Sequence, residues 1–422
     1  MKNYNRNFNL MIIGQIISIF GSAILRFALS TYILDTTGRA DLFAALLAVS
    51  TIPGIILTPI GGVIADRFNR RNLMVIFDFI NSGIVFAFLL TLLFTDATIV
   101  TIGFLMVVLF IISAMYQPSV QASIPSLVKE DQLAQANGLV NGINALSNFM
   151  APALGGVLYG IIGLQSIVVI SAVAFLFSAI MEIFIHIPFV KPEQSGSFLS
   201  VAKDDMKKGF QYAIKENKYI LKAVGLAAGL NLFLSPFFIV GAPYILRITM
   251  ESTDMMYGIG LAAIQLSSII GAIMIGVVAK KLKISNLYIL LIIAAILFVP
   301  IVVAVMPNVL VTGYWPSFTL FMLGSVPILM LMTIVSIYVI TVVQQETPNH
   351  LLGKVMAIIL TISQCAAPIG QLVYGSLFET FSMEVYIPAI GAAVFTFILG
   401  VIAKVILANK NEVEVVVAPE AA

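Results

Sequence analysis

Charge is what this sequence has least of. Of its 422 residues only 10% are Asp, Glu, Lys or Arg, where soluble domains carry about a quarter. So few charges cannot keep the surface of a chain this size in water. With 60% hydrophobic residues and a mean hydropathy of +1.07, lipid is the solvent for most of it. Cysteine is reduced to Cys365, which excludes an intrachain disulfide. His186 and His350 are far apart in sequence, so no His/Cys cluster offers a zinc site. A GxxxxGK(S/T) phosphate loop is missing, and with it direct ATP-driven work by this chain. No Ser/His/Asp pattern rises above background, so an enzyme is not expected. Basic residues are confined to the flanks of apolar stretches, which leaves no nucleic-acid interface.

What is present is a series of long apolar runs. A spanning helix needs ~20 mainly apolar residues. Runs of that length fall at 8–34, 42–65, 72–94, 98–120, 134–160, 163–187, 220–246, 255–279, 285–306, 312–343, 354–378 and 386–408. The first is too long for a signal-peptide core and reads as a retained helix. The separations at 160–163 and 306–312 are the least marked. The expectation is an all-α membrane protein of twelve transmembrane helices. Counting loops alternately from a cytoplasmic N-terminus puts every Lys and Arg on the inner side except Arg26, Arg39 and Arg247. Basic residues favour that side, so a multi-pass protein of the inner cell membrane with both termini cytoplasmic is expected.

The runs repeat. GVIADRF at 62–68 is matched by GVVAKKL at 276–282, and SNFMAPALGGVLYG at 147–160 by SQCAAPIGQLVYG at 363–375. The offsets are similar, 214 residues from Gly62 to Gly276 and 216 from Pro152 to Pro368. A third pair, QASIP at 121–125 and QQETP at 344–348, keeps the same order. The chain therefore divides into a six-helix bundle over 1–187 and another over 220–408, related by a pseudo-two-fold axis along the membrane normal. Between them, 188–219 is expected to be a cytoplasmic linker with an amphipathic helix on the inner leaflet lipid, and 409–422 a cytoplasmic tail.

GGVIADRFNRR at 61–71 resembles the cytoplasmic signature of the major facilitator superfamily. The matching positions are Gly62, Asp66, Arg67, Arg70 and Arg71, with Asn69 where the family usually has glycine; asparagine tolerates the left-handed turn expected there. Ala151 to Gly156 resembles the antiporter signature of that superfamily, and 118–139 is similar to its macrolide-efflux and enterobactin-exporter branch. The resemblance implies the major facilitator fold and a monomer. It also implies secondary transport by alternating access, with a proton gradient as energy source and no cofactor. The implied cargo is an amphipathic small molecule, macrolide- or drug-like or siderophore-like, and the implied direction is export. An importer of a small metabolite and a non-transporting sensor of the same fold are the alternatives. Residues 98–116 contain no arginine, a departure from many drug antiporters of the superfamily.

Several residues are candidates for mechanism. Asp66 and Arg70 are four apart and face each other if the loop is helical. The resemblance implies that they belong to a cytoplasmic gate with Gly62, Arg67 and Arg71. Asp78, seven after Arg71, either joins that gate or, with Glu182, carries a proton as a membrane-embedded acid. Gln15, Ser18, Ser22 and Arg26 step by three or four along one helical face. That stripe either lines a substrate cavity or ends in an arginine that snorkels to the outer interface. Asn144 and Asn148 continue a stripe begun by Asn137 and Asn141, and Gln364 matches Asn148 in the repeat; cavity lining and interhelical hydrogen bonding both fit. Pro152, Gly155, Gly156 and Pro368 are candidate hinges, with small-residue packing as the alternative.

Overall fold

The computed structural model describes residues 5–95, 98–129, 132–187, 218–278, 282, 284–347 and 349–407. Among them there is no strand, and the long elements are α1 (Arg6–Thr37), α2 (Ala40–Arg67), α3 (Arg70–Phe94), α4 (Ile99–Leu127) and α5 (Leu133–Ile183) in the first part. They are followed by α6 (Lys218–Gly229), α7 (Asp254–Val278), α8 (Leu287–Ala304), α9 (Tyr314–Glu346), α10 (Asn349–Thr380) and α11 (Tyr386–Leu407). Ten helices among the described residues are long and apolar enough to cross a membrane. Hydrocarbon offers backbone groups no water, so a spanning segment must satisfy its own hydrogen bonds, as a helix does. The expected linker helix within 188–217 and the tail from 408 onward lie outside the described residues.

Chain punctuation follows local chemistry. Gly38 closes α1 at φ 62, its N–H bonding Leu34 O at 2.9 Å, a conformation cheap for glycine. The Thr98 hydroxyl caps α4 through the Thr101 N–H at 3.3 Å. Both weakly marked separations turn on a glycine with positive φ. Gly163 (φ 71) breaks the 51-residue α5, and Gly313 (φ 118) follows a short helical turn at Pro307–Leu310. Past α6, the helix widens into π turns at Leu230–Leu234, Phe237–Gly241 and Ile245–Thr249.

One expectation fails here. Asn69 has φ −64 and ψ 112, an extended conformation rather than a left-handed turn. Its side chain accepts the N–H groups of Arg71 at 3.1 Å and Asn72 at 3.4 Å, so it starts α3 as an N-cap. The break between α2 and α3 also means that Asp66 and Arg70 do not share one helix, which removes the basis of their expected i,i+4 face.

The chain forms two compact units. The first comprises Met1–Gly38, Leu46–Ser195 and Thr253–Ala262, the second Arg39–Ala45, Gly196–Ser252 and Ala263–Ala422. In the first unit, one apolar layer gathers Leu25, Leu29, Phe88, Leu105, Leu109 and Phe175. Another gathers Phe8, Met11, Met74, Val120, Ile124 and Ile185. In the second unit, Leu287, Leu291, Val335 and Tyr338 pack together, and Phe237 stacks edge-on to Phe298 and Tyr374. Large apolar side chains such as Ile56, Val100, Phe177 and Ile273 face outward while Asp78 and Glu182 are fully buried, the polarity expected of a protein dissolved in lipid.

Candidate functional site

Between the two apolar layers of the first unit lies a buried polar compartment. α1 supplies Gln15 and Ser18, α3 Asp78 and Asn81, α4 Tyr116, and the stretch of α5 beyond Gly163 supplies Ser178 and Glu182. All seven side chains are buried, Gln15, Asp78, Ser178 and Glu182 completely. The helical period does the positioning: three residues separate Gln15 from Ser18 and Asp78 from Asn81, and four separate Ser178 from Glu182. Ser18 donates to Asp78 Oδ1 at 2.8 Å, Tyr116 to Glu182 Oε1 at 2.7 Å, and Ser178 to the Gly14 carbonyl at 2.9 Å. Gly14 brings α1 close to this stretch, since a Cβ there would lie 3.3 Å from Ser178 Oγ and 3.4 Å from Glu182 Cγ.

That accounts for one oxygen of each acid. Asp78 Oδ2, Glu182 Oε2, Asn81 Oδ1 and both amide atoms of Gln15 are buried with no hydrogen-bond partner. Neither acid makes an ion pair among the described residues. A charge held in low dielectric without a counterion costs several kcal/mol, and an unmade buried hydrogen bond ~1–3 kcal/mol. An arrangement this costly calls for something that binds: a proton, an ion or water.

Asp78, read from the sequence as either part of the gate or a proton carrier, accepts a hydrogen bond from Ser18 of α1. The arginines serve helix ends. Arg70 donates from Nε to Ala65 O at 3.1 Å, in the last turn of α2, and from Nη1 to Ala122 O at 2.6 Å, five residues before the end of α4. Arg71 donates to Ile183 O at the end of α5 and to Asn72 Oδ1 at 2.9 Å. Cations favour helix C-termini, where four carbonyls lack intrahelical partners. Arg67 is exposed, a Cβ at Gly62 would meet nothing within 4 Å, and the Asp66 side chain lies outside the described residues.

The α1 stripe divides. Gln15 and Ser18 enter the compartment, whereas Arg26 donates from Nη1 to Ser22 Oγ at 2.6 Å with its guanidinium 5.2 Å from the Phe110 ring centre. The side chain therefore reaches back one turn toward the N-terminal half of α1. Asn144 donates to Val140 O at 3.0 Å and accepts from Gln117 of α4 at 3.4 Å. Asn137, Asn141 and Asn148 lie on an exposed face of α5, and Gln364 is exposed on α10.

The candidate hinges sit at close helix approaches. A Cβ on Gly155 would lie 2.6 Å from Phe27 Cδ1, and one on Gly156 2.6 Å from Asp254 O and 2.9 Å from Gly258 Cα. Pro152 offers its carbonyl 2.5 Å from a Cβ at Gly258, within the same unit. In the second unit the buried Pro368 precedes Gly370, whose Cβ would strike Leu232 O, and Gly375, whose Cβ would strike Ala44. Sequence reasoning missed Tyr116, Asn81 and Ser178, ordinary residues inside apolar runs. It also missed Glu379, which accepts the Ala40 N–H at 3.1 Å and lies 3.9 Å from Arg39. Arg39 is bonded to Asp41 at 2.6 Å, and that bond pushes its guanidinium up from its usual value.

Known proteins share this build. The model of the Major Facilitator Superfamily matches residues 11–371. Macrolide efflux protein A of Streptococcus pyogenes is 27% identical over 190 residues, 44% of this chain and 46% of that protein. The chain thus spans about half the length of the macrolide efflux relatives that it matches. An uncharacterized MFS-type transporter of Bacillus subtilis, YvqJ, is 22% identical over 387 residues, 90% of this chain and 87% of that protein. The crystal structure of the nucleoside transporter NupG superposes with a TM-score of 0.72 at 14% identity, over 95% of this chain and all of that one, a likeness of fold.

Proposed function

The chain belongs to the Major Facilitator Superfamily, as a multi-pass membrane transporter and not an enzyme, and on that premise we propose that it is a proton-coupled exporter of amphipathic small molecules. The observation that carries the coupling is the pair Asp78 and Glu182, buried in one compartment with no cationic partner among the described residues. A proton entering from outside binds one of these carboxylates, is carried while the access of the site alternates, and leaves to the cytoplasm. Cargo moves the other way. The two carboxyl oxygens held by Ser18 and Tyr116 keep the acids in place while the other two take and give the proton.

Export, antiport and a role in resistance to toxic compounds are supported by the similarity to Macrolide efflux protein A and by the APALGG stretch at 151–156. In the first unit, Arg26 against Phe110, with Ser22, Asn144 and Asn148, offers polar contacts to a largely apolar cargo; in the second unit Gln364 is a separate exposed amide on α10. Arg70 and Arg71 brace the helix ends beside the loop that carries Gly62, Asp66 and Arg67, a cytoplasmic gate in this reading. Pro152, Gly155 and Gly156 lie at close helix crossings, and in this reading they and Pro368 serve as hinges. The protein acts as a monomer in the cell membrane with both termini cytoplasmic, in keeping with its basic residues.

The test is a screen of toxic amphipaths in inverted vesicles with and without an acid interior. Export predicts uptake that needs the pH gradient. Equal accumulation with and without the protein for every compound contradicts export, and uptake indifferent to the gradient contradicts the coupling.

A further inference from the structure

The compartment in the first unit holds more acceptors than two acids alone explain. Four buried oxygens on three helices lack any hydrogen-bond partner: Gln15 Oε1 on α1, Asp78 Oδ2 and Asn81 Oδ1 on α3, and Glu182 Oε2 on α5. Against them stand two orphan donors, the Gln15 amide nitrogen and, seven residues before Asp78 on α3, Arg71 Nε. Gln15 is the telling residue. It is fully buried, neither of its amide atoms has a partner, and it lies on the face of α1 that carries Ser18 to Asp78. A glutamine with no role in hydrogen bonding is costly to keep between apolar layers.

The groups facing the two acids are known from every helix around them. α1 gives Gln15 and Ser18, α3 Asn81, α4 Tyr116 and α5 Ser178. None of these is basic; Arg71, seven residues before Asp78 on α3, bonds Ile183 O and Asn72 through its terminal nitrogens, and its buried Nε has no partner. The compartment therefore carries up to two negative charges and oxygen ligands only. Carboxylate and amide oxygens are the ligands of hard cations, and soft or borderline metals prefer the nitrogen and sulfur that are missing here. Calcium takes six to eight oxygens, more than the four on offer.

We propose that Gln15, Asp78, Asn81 and Glu182 form a binding site for one hard monovalent cation, such as sodium, which competes with the coupling proton. The site rests on the reading of Asp78 and Glu182 as the coupling acids. One sodium ion and one proton neutralise the pair, as two protons do. Sodium entry is then an exchange: the carboxyl O–H bond breaks, the proton leaves to solvent, and the carboxylate oxygen coordinates the ion.

Proton release tests it without any cargo. The full chain, purified in detergent and only lightly buffered with a pH-indicating dye, is titrated with sodium chloride against choline chloride at equal ionic strength. The site predicts a saturable release of about one proton per molecule with sodium only. The sodium concentration at half-saturation rises about tenfold per pH unit of acidification. Asp78→Asn abolishes the release, and Gln15→Leu, which keeps both acids and nearly the same volume, weakens sodium binding at least tenfold. If Asp78→Asn does not fold, Gln15→Leu alone decides. Release of the same size with choline, or Gln15→Leu equal to the parent protein, overturns the site. No sodium-specific release from a protein that still exports on a pH gradient rejects the sodium site and leaves proton coupling standing. Sodium-specific release from a protein indifferent to the pH gradient keeps the site and rejects the coupling.

Discussion

The Tyr116 hydroxyl donates to Glu182 Oε1 across 2.7 Å, joining α4 to the far stretch of α5, and both side chains are buried. Removing only that hydroxyl separates packing from hydrogen bonding. Tyr116→Phe leaves the ring in place and a third acid oxygen without a donor, at a cost of ~1–3 kcal/mol. Thermal unfolding in detergent reads it as a lower midpoint, and Tyr116→Phe combined with Glu182→Gln should lose less than the sum of the two, because they share one contact.

Arg70 and Arg71 hold helix ends by their geometry as well as their charge. Arg70 reaches Ala65 O and Ala122 O from two different nitrogens, a fork that a lysine does not reproduce. Arg70→Lys is expected to lower stability by ~1–2 kcal/mol while leaving membrane topology unchanged. An anchor of topology alone predicts no change in unfolding.

Glycines at close crossings differ from those in open space. Gly258→Ala places a methyl group 2.5 Å from Pro152 O and 3.1 Å from Gly156 Cα, both backbone atoms that cannot step aside. It should destabilise by ~1–3 kcal/mol. Gly62→Ala meets nothing within 4 Å and exchanges glycine for the best helix former inside α2, so stability should hold or rise by up to ~1 kcal/mol. Both are read by the same melting assay, and loss of transport in Gly62→Ala without loss of stability would mark the gate.

Asn69 caps α3, so Asn69→Ala should cost ~1 kcal/mol and Asn69→Gly only a few tenths. A left-handed turn would give a different order, with glycine more stable than asparagine.

The fold was legible because lipid makes it so. A run of apolar residues in a chain with few charges must become a helix, and a turn as short as that at Gly163 was visible as a weak separation. The acids Asp78 and Glu182 stood out because any charge does against such a background. Their surroundings did not. Ser18 was read as part of a stripe to Arg26, yet α1 sends it to Asp78 and sends Arg26 to Phe110, a division set by which helix packs on each turn. Tyr116 carries no pattern of its own in sequence, and only the approach of α4 to α5 gives it a partner. Arg70 was read as a gate residue, and its bonds to the carbonyls of Ala65 and Ala122 depend on how α2 and α4 pack beside the start of α3. Partner choice between helices is tertiary, and no local periodicity encodes it.

Proton movement driven by cargo is the most direct measurement of coupling through the compartment. Inverted vesicles with an acid interior are given an exported compound, and the interior pH is followed. The account predicts that cargo accelerates loss of the acid interior in the parent protein and not in Asp78→Asn or Glu182→Gln, with all three present at equal folded amounts. Undiminished cargo-driven proton loss in the double variant would contradict it.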